Sequence, residues 1–263
     1  MRRTAQIKPV VSVIIPTYNQ AAFLRERIES VLNQHFRDVE IIVLDDASED
    51  ETPEITKTYE NHPMVKIMRY ETNSGSPFAQ WQKGIELASG SLIWIAEGDD
   101  LAEPDFLSKL IPAFANPNVK MAYCASHVID SEGQVHKDYY RRNGHYEKLG
   151  FPATRWDESH LSDGFEEIKQ ALSIRNTIPN VSAVVFRKTA LQNLDFGEAR
   201  SFKTAGDWYI YLSLLPGGQI AYVAEALNYH RRHNNSVVGT QSRKAEKTLE
   251  EYYRIHDYVI SQI

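Results

Sequence analysis

The stretch Leu92–Asp100, LIWIAEGDD, decides how the rest of the chain is read. Leu92 to Ala96 make a short apolar run of the kind buried in a sheet, and the run stops abruptly at Glu97-Gly98-Asp99-Asp100. Three carboxylates within four residues repel one another, and a divalent cation with oxygen ligands is the usual remedy. Gly98 permits a turn sharp enough to aim neighbouring acids at one point. The plainer reading is that these acids cap a helix opened by Pro104, because acidic side chains suit a helix N-terminus. The flanking sequence has to separate the two.

Upstream, Val10–Ile15 (VVSVII) and Val39–Leu44 (VEIIVL) are continuous apolar runs, as expected of strands covered on both faces. They end in PTYN (Pro16–Asn19) and DDASED (Asp45–Asp50). Leu24, Ile28, Val31 and Leu32 recur at helical spacing, and a second helix is predicted from Thr52 to Glu60. A strand at Val65–Tyr70 and a helix carrying Phe78, Trp81, Ile85 and Ala88 lead back to the opening stretch. Strands alternating with helices imply right-handed crossovers and a mainly parallel sheet. Ligands bind such sheets beyond the carboxyl ends of the strands, where PTYN, DDASED and EGDD all fall. No GxGxxG or GxxxxGK[ST] occurs, so neither a dinucleotide fingerprint nor a phosphate-cradling loop is indicated.

Downstream, a helix is expected over Pro104–Phe114 and a strand over Val119–Tyr123. Residues 131–162 then read as a long polar loop, a mobile flap or acceptor-side surface, with Tyr139, Tyr140, Arg141, Arg142 and His145 as a candidate sugar platform. A helix near Phe165–Leu172, a strand at Val181–Phe186, a helix opened by Gly206-Asp207-Trp208 and a strand at Ile220–Val223 follow. Tyr229–His233 is expected in a loop. The tail from Lys244 reads as an amphipathic helix with Leu249, Tyr252, Tyr253, His256 and Ile260 on its apolar side.

The 263 residues allow one large domain with a full core. A net charge of -6 argues against a nucleic-acid partner. The single cysteine, Cys124, excludes an intrachain disulfide and suits a reducing compartment. No apolar stretch is long enough to span a bilayer. These features predict a cytoplasmic protein, with peripheral contact at the inner face of a membrane left open.

Taken together, VSVIIPTYN (Val11–Asn19), VLDDASEDET (Val43–Thr52), ASGSLIWIAEGDD (Ala88–Asp100), AGDW (Ala205–Trp208) and YHRRHNNS (Tyr229–Ser236) resemble the inverting family 2 glycosyltransferases of the GT-A fold. The resemblance runs from about residue 10 to 238. It implies an α/β, Rossmann-like, mainly parallel sheet flanked by helices, with a C-terminal acceptor-side region. On that pattern residues 1–9 are a leader, 10–125 the nucleotide-sugar half, 126–240 the acceptor and catalytic half of the same domain, and 241–263 a C-terminal helix.

The resemblance also implies roles. Pro16, Thr17, Tyr18, Asp45, Asp46 and Asp99 would hold the nucleotide, with Asp46 on the base. The chemistry suits this, since a tyrosine ring stacks on a base and a carboxylate accepts from base N–H or ribose hydroxyls. The alternative for DDASED is a turn whose Ser48 or Asp50 caps the next helix. Asp99, Asp100 and His233 would hold a divalent metal, Mn²⁺ or Mg²⁺, on the diphosphate. Glu97 stands where the family's leading aspartate is usual. Asp207 would be the base that deprotonates the acceptor hydroxyl, and Gly206 replaces the glutamate often found before it. Glu97, Trp208, Arg231, Arg232 and Ser236 are candidate phosphate or acceptor contacts. Trp81 stands near a family arginine, but its spacing with Phe78 and Ile85 reads as core. The implied partners are a nucleotide-diphosphate sugar and a glycan or lipid-linked glycan acceptor, with neighbouring domains or a second copy on the C-terminal helix. WIAEGDD, AGDW and NYHRRH are similar to bacterial O-antigen or cell-wall glycan transferases. A scaffold or carbohydrate-binding domain that has lost catalysis is the alternative. A sugar nucleotidyltransferase is a weaker one, because PTYN lacks a glycine-rich, basic signature.

Overall fold

The computed structural model describes residues 8–136, 150–152, 154–178, 180–233 and 245–263. Residues 1–7 of the expected leader, the candidate platform Tyr139, Tyr140, Arg141, Arg142 and His145, and Ser236 lie outside the described residues.

The first half is built as its alternation predicts: β1 (Val11–Thr17), α1 (Ala21–Leu32), β2 (Val39–Asp45), α2 (Thr52–Lys57), β3 (Val65–Arg69), α3 (Pro77–Leu87) and β4 (Leu92–Ile95). β1 pairs in parallel with β2, from Val11↔Val39 to Thr17↔Asp45, and with β4 from Val11↔Leu92. β3 extends the parallel set beyond β2. Every residue of β1, β2 and β4 is buried. The pleat explains this, because successive side chains face opposite sides of the sheet. Val13 and Ile15 join Leu24, Ile28 and Val31 of α1 on one side, while Ile14 joins Phe78, Trp81 and Ile85 of α3 on the other.

The second half continues the same sheet. It contains β5 (Leu101–Ala102), α4 (Phe106–Leu110), β6 (Val119–Ile129), β7 (Val135–His136), β8 (His160–Asp163), α5 (Gly164–Glu167), β9 (Val184–Arg187), α6 (Phe196–Ser201), α7 (Gly206–Leu214), β10 (Gln219–Arg231) and α8 (Ala245–Gln262). The strand order is β3-β2-β1-β4-β9-β6-β10-β5, with β7 on β6 and β8 on β10. β9 is inserted antiparallel between β4 and β6, and β10 returns parallel to β6. The result is the mixed α/β, largely parallel sheet flanked by helices that the sequence predicts. β6 runs through residue 125, so the two halves share one sheet.

Four expectations need correction. β6 does not stop at Tyr123 but runs on to Ile129. Val181–Ala183 forms a tight 3₁₀ turn and the strand begins only at Val184. Tyr229–Arg231 is not loop but the end of β10, with Tyr229 opposite His127 and Arg231 opposite Ile129. This outer part of the strand ends in the polar run Asn228-Tyr229-His230-Arg231, which hides it from a search for continuous apolar runs. Finally, α8 turns Glu251 and Ile255 inward and leaves Leu249 53% and Ile260 83% exposed. A buried set of hydrogen bonds to Glu251, described below, fixes the helix rotation in place of the apolar stripe read from the sequence.

Candidate active site

The acid turn after β4 is tightly packed from beneath. A Cβ at Gly98 would displace Oε1 of Gln20 and lie 3.2 Å from the carbonyl of Pro16, so glycine lets the turn sit closely on the end of β1. Each acid in the turn has a different setting. Glu97 accepts from Nε1 of Trp81 at 2.7 Å, and its N–H donates to Oγ of Ser182 at 3.1 Å. Burial, with Asp99 beside it, pushes the Glu97 carboxyl up to about 8. Trp81 therefore serves the site through its indole N–H while its ring sits in the core, and the longer Glu97 side chain reaches it. Asp100 accepts from the N–H of Arg231 at 2.8 Å and from Nδ2 of Asn180. Burial, then Asp99, raises it to about 7.

Asp99 meets His233, with Nε2 and Oδ2 2.9 Å apart, and the imidazole lies beside Phe23 with ring centroids 4.9 Å apart. Of the predicted metal set Asp99, Asp100 and His233, the structure thus brings Asp99 and His233 together, while Asp100 is engaged by Asn180 and Arg231. Among the described residues no group of three or more His, Cys, Asp or Glu is arranged to hold a metal. A carboxylate and an imidazole in contact fit a divalent ion that takes its remaining ligands from phosphate oxygens and water.

Arg27 of α1 was not legible as part of this site. It is 0% exposed, its guanidinium lies 5.0 Å from the centroid of the Trp94 ring, and its three nitrogens have no hydrogen-bond partner among the described residues. Burial lowers its pKa to about 10, opposed by the charges of Asp100, Asp99 and Glu97. A resident cation behind the turn therefore relieves part of the repulsion that the sequence assigns to a metal alone.

On the nucleotide side, Pro16 and Thr17 are buried at the end of β1, and Tyr18 stands at the rim, 45% exposed. Asn19 takes a left-handed φ of 52°, and its Oδ1 accepts from the N–H of Glu49 at 2.8 Å, tying the two loops together. Asp45 is buried, accepts from the N–H of Ser48 at 2.9 Å and lies 3.4 Å from Nε of Arg69. Asp46 accepts from the N–H of Ser74 at 3.0 Å, from its hydroxyl at 2.7 Å, and from Nε2 of Gln80. The capping alternative holds for Asp50, which accepts from Ala21 and Thr52 at the starts of α1 and α2, both at 3.0 Å.

Asp207 lies in the first turn of α7. Oδ1 accepts from the N–H of Trp208 at 2.7 Å and Oδ2 from Nδ2 of Asn176 at 3.2 Å. Burial raises its carboxyl to about 6. Gly206 has no room for the family's glutamate: a Cβ there would lie 2.5 Å from the Phe78 ring and 2.8 Å from the Ala199 carbonyl. One short segment joins this carboxylate to the acid turn, since Asn176 holds Asp207, Asn180 holds Asp100 and Ser182 holds Glu97. Asn176 and Asn180 are four residues apart, so their Cα atoms lie within about 14 Å of one another. Neither asparagine carries a sequence signal, because IRNTIPN reads as an ordinary turn.

Two candidate contacts sit elsewhere than expected. Trp208 is 1% exposed, donates its indole N–H to the Leu172 carbonyl and packs edge-on against Tyr252 and His256, which leaves no ring face open to phosphate or acceptor. Arg231 is buried and donates to the carbonyls of Asp99, Asp130 and Ser131 and to Glu26. Its pairing in β10 makes it a clamp between α1 and the acid turn, not an arm that closes over a ligand. Arg232 is half-buried just past the strand and bonds Ile129 through its N–H.

Comparison with known proteins gives the family and the fold. The family model for glycosyl transferase family 2 matches residues 12–175. TuaG of Bacillus subtilis (strain 168), whose name places it in teichuronic acid biosynthesis, is 26% identical over 94% of this chain and 89% of its own length. A chondroitin synthase of Pasteurella multocida (strain Pm70) is 30% identical over 60% of this chain and 17% of its own. Among solved structures, S. aureus TarS 1-349 in complex with UDP-GlcNAc superposes with a TM-score of 0.67 at 21% identity, over 93% of this chain and 64% of that one. The mannosyltransferase PcManGT of Pyrobaculum calidifontis, in complex with GDP-Man and Mn²⁺, gives 0.66 at 17% identity, over 94% of this chain and 64% of that one. The likeness to these structures carries the GT-A fold, and the family match carries the chemistry: the chain belongs to glycosyl transferase family 2 and is a glycosyltransferase.

Proposed function

We propose that the protein transfers a sugar from a nucleotide-diphosphate sugar to the hydroxyl of a glycan or lipid-linked glycan, with inversion, in the building of a surface polysaccharide. The observation that supports this best is the hydrogen bonding of Asn176, Asn180 and Ser182, which ties the candidate base Asp207 and the acid turn to one short stretch of chain. In the reaction Asp207 takes the proton from the acceptor hydroxyl. The oxygen then forms its bond to the anomeric carbon from the side opposite the diphosphate, which leaves with the electron pair of the broken bond. A carboxylate raised to about 6 is ionised at pH 7 yet more basic than an ordinary aspartate, and the Asn176 bond fixes its direction.

Tyr18 offers a rim surface for the base, and Thr17, Asp45 and Asp46 line the deeper end of the nucleotide pocket. Asp99 and His233 would hold Mn²⁺ or Mg²⁺, which when bound supplies positive charge beside the leaving diphosphate. Glu97, Asp100 and Arg27 support that pair from behind. The relatives whose names point to polysaccharide assembly support the choice of acceptor class. The cytoplasmic location read from the sequence belongs to the same proposal. Among the described residues no helix is long and apolar enough to cross a membrane.

Calorimetric titration with UDP, GDP, dTDP and CDP, each with Mn²⁺ and with chelator, tests the donor site. One diphosphate should bind in the micromolar range and weaken sharply without the ion. Binding of none of them under either condition would remove the donor-site reading and favour a scaffold that has lost catalysis. Anomeric proton NMR of the product from the matching sugar donor then reads inversion or retention directly.

A further inference from the structure

The helix that carries Asp207 starts without a cap of its own. Its N-cap position is Ala205, which has no side-chain oxygen to offer, although the first N–H groups of a helix need acceptors. Asp207 accepts from one of them, that of Trp208, and Glu251 of α8, 46 residues beyond Ala205, holds the backbone that leads into the helix. Its carboxylate accepts from the N–H groups of Lys203 at 2.6 Å, Thr204 at 2.9 Å and Ala205 at 3.0 Å, and from the Thr204 hydroxyl at 2.7 Å. Glu251 is buried, and although burial acts the other way, the bonds from Thr204, Lys203 and Ala205 keep its carboxyl below the usual range. The rest of α8 locks onto the same helix. Trp208 meets the rings of Tyr252 and His256, and Tyr258 shares a hydrogen bond with Ser213 at 3.0 Å. Ile255 at the centre is fully buried.

We infer that Glu251 is a positioning residue for sugar transfer: by holding the backbone of residues 203–205 it sets where α7 begins and so where the Asp207 carboxylate points. This rests on the assignment of Asp207 as the base. The titratable groups facing Asp207 are Glu251 from α8 and Tyr211 one turn along α7, and the charge of Glu97 in the acid turn reaches Tyr211 as well. Glu251 raises the Asp207 carboxyl by its charge, so it tunes the base as well as aiming it.

The test compares the full chain with Glu251→Gln, which keeps the side chain's shape but removes one accepting oxygen and the charge. Titration of the Asp207 carboxyl, followed by ¹³C NMR, should move to lower pH. Amide exchange at Ala205 to Trp208 should speed up at least tenfold while exchange in β1 and β2 is unchanged. An unmoved Asp207 titration together with a lowered Tm would show α8 to be packing only, and would overturn the inference. Glu251→Ala is the harsher variant, and if it fails to fold the Gln variant still decides. If Asp207→Asn retains transfer activity, the base assignment fails, and the NMR titration still reports whether Glu251 sets the start of α7.

Discussion

Asp207 combines two demands that pull apart, since a base must be charged to act and its burial opposes charge. With its carboxyl raised to about 6, turnover is expected to fall on the acid side with a midpoint near that value, read from a rate profile between pH 5 and 8. Asp207→Asn should lower turnover by about 10²–10⁴ while leaving donor affinity intact, as measured by parallel kinetics and calorimetry. The same substitution should act on stability in the opposite sense. A carboxylate whose folded pKa lies above its unfolded value binds extra protons in the folded state between pH 4 and 6, so it stabilises at low pH and loses that contribution as pH rises through 6. Asp207→Asn should therefore raise Tm at pH 8 and not at pH 4, by differential scanning calorimetry. Gly206→Ala tests the neighbouring position. Its new methyl meets a ring and a carbonyl, and a loss of about 1–3 kcal/mol is expected in denaturant unfolding. At this scale Asp99, His233 and Asp207 stood out as candidates because each follows or opens a recognisable element with a polar cluster, and the structure shows the Asp99–His233 contact. Arg27 did not stand out, because Arg25, Glu26 and Glu29 surround it in sequence and a charged stretch of helix ordinarily faces solvent.

Among elements, α1 does more than cover the sheet. Its Arg27 and Glu26 reach the acid turn from below, one by charge and the other through Arg231. Arg27→Met would remove the buried charge that acts on Glu97, Asp99 and Asp100 together. Removal of one member of a buried charge group costs about 3–5 kcal/mol, so the variant should unfold earlier in chelator, and millimolar Mn²⁺ should recover part of the loss in the same thermal melt. The elements of the first half were legible because strands buried on both faces leave continuous apolar runs and the covering helices carry a regular stripe. β6 and β10 were read as shorter than they are. Their outer residues carry Ser126, His127, Asn228 and His230, which pair across the strands or bond within the site, and polarity of that kind looks like loop. The face of α8 was misread in part: Tyr252 and His256 of the expected stripe meet Trp208, but the Glu251 carboxylate with its four donors sets a rotation that leaves Leu249, Tyr253 and Ile260 exposed.

Across the whole molecule, the donor site joins loops from β1, β2 and β4 to residues from β10 and the segment before β9, so ligand binding should report on the entire fold. The nucleoside diphosphate selected by calorimetry, at one hundred times its dissociation constant, should add about 2.7 kcal/mol to unfolding free energy, and the three others should add nothing measurable.

The sheet order has a further consequence for how the chain is made. β1 to β4 pair side by side and can assemble once the first hundred residues have emerged, but the second edge of β4 is covered by β9 from far downstream. The roughly 90 residues between them take on the order of 5–20 s to synthesise. During that interval an apolar strand edge waits beside the ribosome for a partner encoded far downstream. Synonymous codon changes that slow elongation across residues 100–180 would lengthen that exposure and lower the soluble yield without altering a single side chain.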